Sequence, residues 1–187
     1  MNLCSWDCNT LILGTFNPKD GPYADFYYGR VRGLNSWSNR FWPSLNEYIN
    51  FKNNSEIKLK PGDINSKIEL MTKYKFYCLD LIYSIETKAN YEDINRKFAD
   101  YHLMLKSNNI KYNTQSIIKF IKEKKIKKVI SSWGKGTSLS RSFLLELNKI
   151  IYYCRESNFN LFHLPAFGRP KIKNVELGSL LFKEFTS

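Results

Sequence analysis

The stretch Leu11-Ile12-Leu13-Gly14-Thr15-Phe16-Asn17-Pro18 decides the fold, because an apolar run stops there abruptly in turn residues. Three aliphatic residues in succession suit a short strand buried on both faces. The glycine lets the backbone approach a ligand, and the loop after it can present amides and one polar side chain. Three further apolar runs have the same character: residues 74–81, Val129-Ile130 and residues 161–164. Helical patterns lie between them. Residues 41–49 space Phe41, Leu45 and Tyr48 along one face, and residues 114–125 open at an N-cap and turn Ile117, Ile118 and Ile121 inward. Residues 138–150 and 175–185 complete the set. Strands alternating with helices imply an α/β fold whose parallel sheet is covered on both faces. Ligands in such folds bind beyond the carboxyl ends of the strands, which is where chemistry is to be sought.

The chain is 187 residues long, which favours a single domain over residues 1–187 with a core of its own. Twenty-nine Lys and Arg against 17 Asp and Glu give a formal charge of +12, which favours a polyanion as partner through release of condensed counterions. A solubilising, Lys-rich surface is the plain alternative. Cys4, Cys8, Cys78 and Cys154 lack the paired short spacing of zinc or iron–sulfur sites, so reduced and mostly buried thiols are expected, with no metal. The opening residues do not resemble a signal peptide, and no apolar run approaches a membrane span. The expectation is a cytoplasmic protein without membrane contact, for which a basic monomer suffices.

After the first strand come Phe26-Tyr27-Tyr28 and Asn39-Arg40-Phe41-Trp42-Pro43, with Arg30, Arg32 and Arg40 beside them. Aromatic clusters are more often core than ligand platform, yet aromatics interleaved with cations suit base stacking next to phosphate binding. An apolar strand, Gly14-x-x-x-Pro18, Phe26-Tyr27-Tyr28 and Asn39-Arg40-Phe41-Trp42 together resemble the uracil-DNA glycosylase superfamily. The nearest branch holds the mismatch-specific uracil/thymine and hypoxanthine enzymes. The likeness continues in order through Phe76-Tyr77-Cys78-Leu79-Asp80-Leu81, Val129-Ile130-Ser131-Ser132-Trp133-Gly134-Lys135 and Leu161-Phe162-His163-Leu164-Pro165. It implies a three-layer sandwich around a four-stranded, mainly parallel sheet, and a monofunctional DNA glycosylase that needs no cofactor.

Two departures bear on the substrate. The family's water-activating Asn or Asp commonly stands two residues after the first-strand glycine, where this chain has Phe16; Asn17 follows, and Asn39 is the other candidate. The family's small residues after Leu-Pro are replaced by Ala166-Phe167-Gly168-Arg169, and residues 31–38 lengthen the loop between the aromatic motifs. A deaminated purine or modified cytosine therefore stands beside uracil as substrate.

The site expected from these residues has Asn17 or Asn39 positioning water, with Asp20 a runner-up, and Thr15 and Phe16 offering backbone amides to the base. Tyr28 stacks on the flipped base while Tyr27 packs, or the two exchange roles. Asp80 accepts from an exocyclic amine, its alternative being a capping or salt-bridged carboxylate. Arg30, Arg32, Arg40 and Lys135 meet DNA phosphates, and Phe167, Gly168 and Arg169 form a wedge or a plain turn. His163 reads as a core histidine, and the six lysines of residues 119–128 as a solvated face that adds long-range steering. Two other functions compete: a binding module that has lost water activation, and a nucleoside hydrolase, against which the charge speaks.

Overall fold

The computed structural model describes residues 4–16, 40–87, 107–131 and 140–163, together with 173, 176, 178 and 179. Four strands form one parallel sheet: β1 (Thr10–Gly14), β2 (Phe76–Asp80), β5 (Lys128–Ser131) and β6 (Asn160–His163), in the order β2-β1-β5-β6. A separate antiparallel pair, β3 (Ile82–Thr87) with β4 (Ser107–Tyr112), follows directly on β2. Helices α1 (Phe41–Asn53) and α2 (Ile64–Lys73) lie between β1 and β2 in the chain. Helix α3 (Thr114–Glu123) precedes β5, and α4 (Arg141–Glu156) joins β5 to β6.

Strand alternation divides the core into two slabs, one on each face of the sheet. Leu11, Leu13 and Val129 face Ile117, Phe120 and Ile121 of α3 and Phe143, Leu147 and Ile150 of α4. Ile12, Phe76, Cys78 and Ile130 face Phe41, Trp42, Leu45 and Ile49 of α1 and Met71 of α2. The sheet is thus covered by helices on both faces, as alternation of strands and helices implied.

Several local expectations need adjusting. The apolar run over residues 74–81 is not one strand: Tyr74 caps α2 and Lys75 takes a left-handed conformation, φ 53°, so β2 starts at Phe76. On α1 the buried stripe is Phe41, Trp42, Ser44, Leu45 and Ile49, with Tyr48 at its margin. On α3 it is Thr114, Ile117, Phe120 and Ile121, and Ile118 is only half-buried. Helix α4 starts at Arg141 rather than residue 138, because Ser140 caps it by accepting from the Phe143 amide at 3.3 Å. All four cysteines are free and buried.

Candidate functional site

The strand order itself creates a crevice. From β1 the chain leaves to β2 on one side; from β2 it crosses β1 to reach β5 on the other, and β5 continues outward to β6. The connections leaving β1 and β5 therefore diverge, and the gap between their carboxyl ends is the switch point at which open parallel sheets bind ligands. Register sets what lines it. Gly14 pairs with Asp80, Leu13 with Ser131, and Ser131 with His163. The carboxyl ends of the four strands thus bring together two successive rows, Asp80 beside Gly14 in the last and Ser131 beside Leu13 and the His163 position in the one before it. Thr15 and Ser131 are buried polar residues, and Asp80 is half-buried.

The turn after β1 is held from one side. Leu81 and Ile82 donate their amides to the carbonyls of Gly14 and Thr15, each at 2.9 Å. Asn113 then fastens the end of β2: its side-chain amide donates to the Asp80 carbonyl at 3.0 Å, and its backbone amide to the Leu81 carbonyl at 2.8 Å. Asn113 also occupies the N-cap position of α3, where its side-chain oxygen makes no cap bond. From there the chain is tied to α4: Thr114 donates to Glu146 at 2.6 Å, and the Tyr112 and Ser142 hydroxyls bond at 2.9 Å. Burial raises the Glu146 carboxyl, but hydrogen bonds from Lys149 and Thr114 outweigh this and hold it below its usual value.

Of the residues singled out in the sequence, Thr15, Phe16 and Asp80 come together at this edge. Phe16 is half-buried and packs toward the α3/α4 slab. Arg40 holds the N-cap position of α1, its carbonyl accepting from the Ser44 amide at 2.9 Å. The two aromatics after it belong wholly to the core: Phe41 and Trp42 are fully buried and meet edge to face at 5.0 Å. Asn17, Tyr28, Arg30, Arg32, Asn39, Lys135, Phe167, Gly168 and Arg169 lie outside the described residues, as do Asp20 and Tyr27.

Two residues with a place in this edge had no role in the sequence reading. Ser131 follows Val129-Ile130, so the rule that found Asp80 at a strand end applies to it equally. Asn113 could have been found only as a helix N-cap, since its bond to β2 spans 33 positions.

Lys67 is a further surprise. It is fully buried on α2, where its ammonium donates to the Pro61 carbonyl and stands 5.8 Å from the centre of the Trp42 ring.

Among the described residues no three or more His, Cys, Asp or Glu side chains gather as a metal site, and no helix is long and apolar enough to cross a membrane. Comparison with known proteins finds no matching family model, no matching curated protein and no matching solved structure.

Proposed function

We propose that this protein is a monofunctional DNA glycosylase of the uracil-DNA glycosylase kind, acting on a base flipped out of DNA into the carboxyl-edge crevice. One observation carries the reading. Four sequence blocks that resemble that superfamily become, in chain order, the four strands of one parallel sheet, and their polar residues Thr15, Asp80 and Ser131 and the His163 position fall at its carboxyl edge, at the ends of the strands or just beyond.

In this reading the flipped base sits over the Gly14-Thr15 turn, and the Asp80 carboxylate accepts a hydrogen bond from an exocyclic amine. Such an acceptor favours an aminated or modified base and repels a carbonyl at the same place. The bond between the base nitrogen and C1′ breaks with its electron pair leaving on the base. Water, positioned by Asn17 or Asn39, adds its oxygen at C1′, and its proton passes to the base or to solvent. An amide is not a strong base, so hydrogen bonds that stabilise the departing base supply most of the rate enhancement. The cost of extrusion, about a few kcal/mol, is offset by the wedge assigned to Phe167 and Arg169.

A second reading draws on Phe16, which occupies the family's usual water-activating position and packs toward the core. It describes a module that binds an extruded base without cleaving it.

A strand-cleavage screen separates the two. Labelled duplexes carrying uracil, hypoxanthine, thymine mismatches or modified cytosines would be incubated with the protein and then treated with hot alkali. Breakage at one base, lost in Asn17→Ala or Asn39→Ala, supports the enzyme. Salt-sensitive binding to all the duplexes with breakage at none leaves the binding module.

A further inference from the structure

The opposite edge of the sheet carries a feature that the proposed chemistry does not use. At the amino-terminal edge, Asn9 and Thr10 donate to the Lys75 carbonyl at 2.9 and 3.3 Å, Lys127 and Lys128 donate to the Asn9 carbonyl at 2.8 and 3.1 Å, and Asn160 donates to the Lys127 carbonyl at 3.3 Å. These bonds set Lys75, Lys127 and Lys128 along one rim. Lys73 and Lys122, in the last turns of α2 and α3, and Lys125 join them, and Lys73, Lys75, Lys122, Lys125 and Lys127 are all exposed. Exposed acids stand near it in the chain at Asp7, at Glu69 one turn before Lys73, at Glu123 and at Glu156, and Glu123 pairs with Lys119 at 3.7 Å. This rim lies the length of β1, about 15 Å, from the carboxyl-edge crevice.

The backbone adds a second, independent observation. Three helices hand over to a parallel strand through a residue of positive φ: Lys75 at 53°, Lys125 at 51° and Asn158 at 57°. Glycine is the usual occupant of such a position and asparagine tolerates it, but lysine carries a steric penalty there. Asn158 follows the rule and the two lysines break it. Interaction with the helix dipole does not require them, since Lys73 and Lys122 already supply a cation in the last turns. Strain kept at two exposed positions of one sign on one rim marks a functional surface.

From the charge and the strain together, we propose that the amino-terminal rim of the sheet, centred on Lys75, Lys125 and Lys127, is a docking surface for the phosphate backbone of duplex nucleic acid, separate from the crevice. Bilayers are the poorer fit: none of the large exposed apolar side chains among the described residues (Phe51, Ile57, Tyr83, Leu144, Leu145, Tyr152) comes from the loops of this rim. The surface does not depend on glycosylase chemistry, and it is read with undamaged DNA.

The test uses the full chain, a short undamaged fluorescent duplex, and salt titration. Lys75→Gly/Lys125→Gly relieves both strained positions, so its Tm rises while affinity at low salt falls by roughly tenfold and the salt slope shrinks by about 2. Lys58→Gln/Lys60→Gln changes net charge equally at exposed residues elsewhere and leaves affinity within about twofold of wild type. Unchanged duplex binding in the glycine variant overturns the proposal, as does an equal loss in both variants. Loss of binding only to phosphatidylserine vesicles, with duplex binding intact, overturns it in favour of a membrane surface.

Discussion

Asp80 and Asn113 show how one side chain governs another's position. The carboxylate stands at the end of a strand whose last carbonyl is held by the Asn113 amide, so the orientation of Asp80 depends on a residue 33 positions later. Replacing Asn113 by Ala removes this bond at a cost of about 1 kcal/mol, read as a lower urea midpoint. If the glycosylase reading holds, excision falls further than the stability loss explains, whereas Asp80→Asn lowers excision with the midpoint nearly unchanged. The thiols give a prediction that needs no functional assumption. Burial pushes Cys8 up to about 12, with Cys4 adding to it, and burial pushes Cys154 to about 11, both from an ordinary 9.0. Tyr77, buried and stacked on Phe120 at 5.3 Å, rises from 10.0 to about 12. Groups raised on folding hold their protons longest in the native state. Their stabilisation is therefore complete below about pH 9, where unfolded thiols begin to ionise, and is lost as pH climbs toward about 12. Urea midpoints should fall steadily from pH 9 to pH 11; a flat profile would contradict the burial of these groups.

At the scale of elements, helix α1 is the hub of one core slab. Trp42 is fully buried against Phe41 and Phe76, so Trp42→Ala should destabilise by about 3–5 kcal/mol, measured by chemical denaturation. Close packing also reaches the Ser44 and Tyr48 side of α1. A methyl added to Gly178 would land on the Ser44 carbonyl and the Tyr48 Cβ, so Gly178→Ala forces the chain away from α1. A loss of about 1–3 kcal/mol is expected, visible as a drop in Tm. Legibility differed by element for a physical reason. The strands β1, β5 and β6 and the helices α1, α3 and α4 announced themselves because each carries a dense apolar run or stripe. Helix α2 was not read from the sequence: INSKIELMTK buries only Lys67 and Met71, and a buried lysine does not register as apolar. The pair β3–β4 was missed as well, since SNNIKY is polar and pairs outside the main sheet. Asn-Arg-Phe-Trp read as one motif, yet its aromatic half, Phe41 and Trp42, is fully buried core packing.

For the whole molecule, a formal charge of +12 implies that affinity for any nucleic acid falls steeply with salt, by about 0.9 log units of affinity per log unit of salt for each phosphate contacted on duplex DNA. Binding that persists unchanged from low to high salt would argue against a backbone-driven partner altogether. The sequence by itself determined the fold class, the parallel sheet and its two covered faces, because hydrophobic periodicity is local and survives without knowledge of neighbours. It also located Thr15 and Asp80, since the end of an apolar run is visible in one dimension. Only the tertiary structure decided which strand ends meet. Strand order put β1 between β2 and β5, aligned Ser131 with them, and sent Asn113 to hold β2. The gathering of Lys75 and Lys127 on the far rim was likewise hidden, since they are joined only through hydrogen bonds to Asn9. Proximity between residues dozens of positions apart arises from strand order and register, and no local pattern of side chains encodes it.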